Sequence, residues 1–127
     1  MLVNLSACGQ SQIDFHCSKY RIGTFLYKYK QGNQELHVII ERKTNLQTEL
    51  EKETGILQTF NVNWIDSCTY ELKSLGINTD VSEEIKKLQQ KQILTSYLLS
   101  GTDIYYISKT TSNLNSNISI DTIWIQK

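Results

Sequence analysis

The sequence predicts an all-β domain, mainly antiparallel, running as a meander of about eight strands with one short helix. Three observations carry this expectation. Ile, Val and Thr together make 31 of 127 residues, while alanine occurs once, at Ala7. Branched side chains suit a pleated surface, and the best helix former is almost missing. Ile56, Gln58, Phe60, Val62 and Trp64 fall on one face of a segment whose other face carries Thr59, Asn61 and Asn63, a strict period of two. Proline is absent, so the turns rest on Gly, Asn, Asp and Ser. Short connections favour antiparallel neighbours. Closure into a small barrel or a strongly curled sheet removes exposed edges; a two-sheet β-sandwich is the rival.

The elements follow in order. Gly23–Tyr29 alternates, with Phe25, Tyr27 and Tyr29 on one face, and Gln31–Gln34 is a turn. Leu36, Val38, Ile40 and Arg42 share a face of the next strand, and Lys43–Leu46 reverses tightly into Gln47–Lys52. Thr54-Gly55 turns into the Ile56–Trp64 strand. Ile65-Asp66-Ser67 turns again, into a strand carrying Cys68, Tyr70 and Leu72 on one face. Residues 74–80 read as loop. Asp80 or Ser82 caps a short helix to about Gln90, with Glu83 and Glu84 in its first turn. Ile93–Leu99 and Ile104–Lys109 form a hairpin about Ser100–Asp103. Thr110–Asn117 reads as a polar loop. Ile118–Gln126 is the last strand, with Ile118, Ile120 and Trp124 in register.

Thirteen basic and thirteen acidic side chains cancel. Without a basic excess there is no counterion-release drive toward nucleic acid, so no nucleic-acid partner is expected. No apolar run reaches the roughly 18–20 residues that span a bilayer. The cysteines divide by position. Leu5-Ser6-Ala7-Cys8 looks like a bacterial lipobox, in which small residues precede a cysteine that is acylated after cleavage. Residues 1–16 are therefore expected to be a lipobox-like segment and tether, with membrane attachment only through lipid on Cys8; an ordinary N-terminal segment is the alternative. Cys17 and Cys68 are then left as an even pair, expected to bridge in an exported protein, with two buried free thiols as the alternative. A single β domain is expected over 17–127. No ligand spacing for a metal is present, and no cofactor is implied.

Cys17, Gly23-Thr24-Phe25, Ile40-Glu41-Arg42, Gln47-Thr48-Glu49 and Trp64…Cys68-Thr69-Tyr70 occur in this order. In that succession residues 17–72 resemble a family of small exported lipoproteins common in Bacteroidetes. The resemblance implies a lipocalin-like strand content and no settled activity.

One cluster carries chemistry. If Thr44 and Asn45 form a two-residue turn, Arg42 pairs with Gln47 and Ile40 with Glu49, and opposed side chains share a face. Arg42, Gln47 and Glu49 would then form an interior polar group, bordered by Trp64 and Tyr70, with Arg42 and Glu49 within ion-pair reach. It reads as a ligand-anchoring pocket or as a structural ion pair fixing register. A loop one residue longer would expel Gln47 and Glu49 and turn Leu46 and Leu50 inward. His16 and His37 are not placed beside a nucleophile, and no catalytic motif is present. The expected function is a non-enzymatic, monomeric cell-envelope domain that binds a small apolar or amphipathic molecule or an envelope protein. The alternatives are an inhibitor acting through Leu75–Asp80 or Thr110–Asn117, and an enzyme of unrecognised type.

Overall fold

Tight loops set the register from the first hairpin onward. In the computed structural model, which describes residues 16–127, Gln31 faces Gln34 across Gly32-Asn33. Gly32 takes φ +64°, the left-handed value that favours glycine at the first central position of a two-residue hairpin loop. This loop joins β1 (Gly23–Gln31) to β2 (Gln34–Arg42). Lys43 N–H then donates to Leu46 O at 2.8 Å, so Thr44-Asn45 is the two-residue turn that leads into β3 (Leu46–Glu51). The chain continues through β4 (Leu57–Asp66), β5 (Thr69–Ile77), α1 (Glu83–Lys91), β6 (Leu94–Gly101), β7 (Tyr105–Ser112) and β8 (Ile118–Gln126).

Each strand pairs antiparallel with the next, and β8 returns to β1 through Thr24↔Gln126, Phe25↔Ile125 and Leu26↔Trp124. The result is a closed eight-stranded antiparallel barrel, lipocalin-like in architecture; the two-sheet sandwich is not formed. Phe25, Leu36, Ile40, Phe60, Val62, Tyr70, Leu72, Leu98, Tyr106 and Ile123 are buried, each contributing about 1.5–3 kcal/mol relative to exposure.

One end of the barrel is stoppered. A single 3₁₀ turn, Cys17–Tyr20, precedes β1, and both Cys17 and Tyr20 are buried. Cys17 is disulfide-bonded to Cys68 in the β4–β5 turn, with Cα atoms 5.2 Å apart. The Tyr20 hydroxyl donates to Thr102 O at 2.7 Å in the β6–β7 turn, and Lys19 pairs with Asp103 at 3.0 Å. The stopper is thus fastened to two separate turns at the same end. Gly101 exists to admit it: a Cβ there would lie 2.8 Å from Tyr20 Cζ and 2.9 Å from Tyr106 Cβ, and closer still to the Tyr20 hydroxyl. Gly101→Ala is expected to cost about 1–3 kcal/mol by overpacking; an unchanged urea midpoint would contradict this contact.

Three stretches differ from the sequence reading. Ser74–Ile77 continue β5 and Thr110–Ser112 continue β7, where loop was expected. Around Thr110 the barrel interior is polar, with Ser96 and Thr110 hydroxyls bonded at 3.1 Å, so apolar alternation does not mark that end of β7. On β8, Ile118 and Ile120 are exposed and Ile123 is buried; the expected apolar row faces outward and the neighbouring parity faces in. The helix forms with Ser82 as cap, its hydroxyl accepting from Ile85 N at 3.2 Å, but no α1 residue is buried. The lipobox-like residues around Cys8 lie outside the described residues.

Candidate functional site

β2 ends with Arg42 on the inward parity set by Leu36 and Ile40, and its side chain is 1% exposed. Every nitrogen of the guanidinium donates. Nε donates to Gln47 Oε1 at 2.7 Å, one Nη to Tyr20 O at 2.7 Å, and the other to the Tyr70 and Tyr106 hydroxyls at 2.8 and 3.0 Å. The Phe25 and Tyr70 rings lie 4.9 and 4.6 Å from Cζ, within cation–π range. Burial works against the charge, but the Tyr70 and Tyr106 phenols and the Glu49 carboxylate reverse this and hold the guanidinium ionised.

The register is the expected one: Arg42↔Gln47 and Ile40↔Glu49. Arg42, Gln47 and Glu49 share the inner face. The direct ion pair does not form. Glu49 sits diagonally across from Arg42, a step of about 7–8 Å in an antiparallel pair, and Gln47 fills the interval. Its Nε2 donates to Glu49 Oε2 at 2.7 Å while its Oε1 accepts from Arg42. Trp64 borders the group from outside, 4.7 Å from the Tyr70 ring, and Arg21 stacks on it at 4.4 Å. Arg42, Gln47 and Tyr70 are therefore packed solid.

The hollow lies one layer further along the barrel, toward the end away from the stopper. Here a cavity of about 300 Å³ is lined by Tyr27, Tyr29, Val38, Glu49, Glu51, Ile56, Gln58 and Ile77. A larger surface groove of about 480 Å³ between β5 and α1 has mixed polar walls that include Asn78, Asp80, Lys86 and Gln89. The inner cavity has the more definite chemistry. Tyr27 and Tyr29 stack with ring centroids 5.6 Å apart and planes 13° apart, forming one aromatic wall. Glu49 lies at the floor. Loss of hydration raises its carboxyl, with the Gln47 amide and the Arg42 charge pulling it back. Glu51 accepts from the Tyr29 hydroxyl and from Thr54 Oγ1 at 2.7 Å. Burial raises the Tyr27 phenol, and Asp121, facing it from β8, raises it further.

The hydrogen bond to Glu51, with desolvation behind it, pushes the Tyr29 phenol up to about 12. Folded Tyr29 thus keeps its proton at pH values where the unfolded chain has lost it. The stabilisation is complete below pH 10 and disappears as pH rises through about 12. Tyr29→Phe should flatten the fall in urea midpoint over that window, with Tyr27 and Tyr106 keeping part of the slope. An identical slope in the variant would contradict the assignment.

On sequence alone Tyr27 and Tyr29 share a strand face without marking a site, Glu51 reads as part of a solvated face where the structure puts it in the cavity lining, and Tyr20, Gln58, Tyr106 and Asp121 are assigned to no site. The signal for the tyrosine pair was available, since the parity that turns Phe25 inward also turns Tyr27 and Tyr29 inward. No family model, curated protein or solved structure matches the chain.

Proposed function

We propose that this protein is a non-enzymatic ligand-binding barrel of the bacterial cell envelope, held there by lipid on Cys8, that takes a small amphipathic molecule into its open mouth. One observation carries the reading: the barrel is filled around Arg42 but leaves a cavity of about 300 Å³ walled by the Tyr27–Tyr29 stack. Pockets of this size with aromatic walls and a few placed polar groups suit small ligands. The disulfide fits an oxidising compartment, and the ordered Cys17–Tyr70 pattern adds its resemblance to exported lipoproteins. A loop-borne inhibitor has less support, because Leu75–Ile77 and Thr110–Ser112 belong to strands. An enzyme also has less. Glu51 is engaged by Tyr29 and Thr54 and Glu49 by Gln47, so both carboxylates already serve as hydrogen-bond acceptors within the fold.

The test is titration with N-phenyl-1-naphthylamine, an uncharged aromatic amine that fluoresces in apolar sites. Saturable binding is expected, weakened at least about tenfold in Val38→Trp, which fills the cavity. Binding unaffected by Val38→Trp, or no binding, overturns the reading. Anchoring is tested by membrane fractionation of wild type and Cys8→Ser. Equal solubility of the two refutes the lipid attachment.

A further inference from the structure

Building on the ligand-binding reading above, we infer that the barrel mouth selects small organic cations, an ammonium head carried on an apolar body. The argument begins with the charge that faces the cavity. Among the described residues its ionisable lining consists of Glu49 and Glu51 and the two tyrosines, and Asp121 faces Tyr27 from the neighbouring strand β8. Among the described residues no Lys or Arg is in the lining. Arg42, the cation beneath it, is spent on Gln47, Tyr20 O, Tyr70 and Tyr106, and Gln47 stands between it and the floor carboxylate.

Glu49 is the deciding group. Gln47 donates to one of its oxygens, and among the described residues no other hydrogen bond to this carboxylate is made. Glu49 is half-buried and lines the cavity; with one hydrogen bond and its counter-charge beyond a bridging amide, its carboxylate is only partly compensated. An ammonium in the cavity supplies the missing charge at short range. An anion would meet two carboxylates, and a neutral body would leave Glu49 as it is.

The walls suit the rest of such a ligand. The Tyr27–Tyr29 stack offers ring faces, which attract a cation and pack an apolar body. Val38, Ile56 and Ile77 supply apolar contact. Glu51 accepts from Tyr29 and Thr54, and each carboxylate oxygen has a second lone pair. The cavity volume of about 300 Å³ limits the occupant to a small molecule.

Three probes of one shape separate charge from size: phenethylamine (cationic at neutral pH), phenethyl alcohol (neutral) and phenylacetate (anionic). Each is titrated against bound N-phenyl-1-naphthylamine. The amine is expected to displace it at least about tenfold more effectively than the alcohol, with phenylacetate the weakest. Glu49→Gln should abolish the advantage of the amine over the alcohol. If that variant fails to fold, Glu51→Gln should reduce the same advantage. Equal displacement by all three, preference for phenylacetate, or no displacement by any overturns the cation assignment while the cavity reading stands. An advantage that survives both substitutions places the cation elsewhere and also overturns it. Absence of naphthylamine binding removes the ligand-binding reading itself.

Discussion

Arg42→Met should destabilise the barrel by about 3–5 kcal/mol, the cost of stripping a buried charge from its partners. Methionine matches the arginine stem as far as Nε and lacks the carbon and two terminal nitrogens beyond it. What is lost is a donor set. Gln47 Oε1, Tyr20 O and the Tyr70 and Tyr106 hydroxyls all accept from one guanidinium, and each orphaned acceptor carries a desolvation cost of about 1–3 kcal/mol unless it finds water. Adding Glu49→Leu should recover only part of this, because it cancels the uncompensated carboxylate and leaves the orphaned acceptors. Adding Gln47→Leu as well should recover more. Urea unfolding with a constant m-value measures all three. Full recovery in the double variant would mean that Arg42 acts on Glu49 alone and that the Gln47 bridge is incidental.

Replacing Cys17 and Cys68 together with alanine should cost about 4 kcal/mol in the chain-entropy account of a closed loop of this length, the two positions being 51 apart. The loss has a second component specific to this fold. The bridge holds the 3₁₀ turn against the barrel end, and that turn delivers Tyr20 O to Arg42. Freeing the stopper therefore weakens the Arg42 network as well. The disulfide and Arg42 substitutions should be non-additive in combination, since they remove one shared contact. The check is a double-mutant cycle on unfolding free energies. Strict additivity would show that Tyr20 stays seated without its disulfide.

Much of this was legible because parity is local. Two residues at Thr44-Asn45 decide which side of the sheet Arg42, Gln47 and Glu49 occupy, and the observed pairing follows. The bridging role of Gln47 was not legible, since face is a matter of counting and contact is a matter of side-chain reach. Tyr106 was hidden for another reason. In β7 both parities carry apolar residues, Tyr105 and Ile107 on one side and Tyr106 on the other, so alternation does not choose a face. Tyr20 lies in a turn with no period at all. The cavity was beyond the pattern altogether. Alternation tells which side chains point inward, while their volumes at each level of a closed barrel decide whether a space remains.

The stopper also gives the barrel a polarity in space. The described chain enters through Cys17 at the stoppered end, and β8 finishes at Gln126 beside the start of β1 at that same end. Tyr29, Glu51 and Ile77, which ring the cavity, lie at the opposite one. On the lipid-anchored reading proposed above, attachment ahead of Cys17 would fall on the sealed side of the barrel, with the opening on the side away from the bilayer. A ligand would then arrive from the surrounding fluid and not from the lipid, and lengthening the attachment would alter the height of the opening above the surface without turning it round.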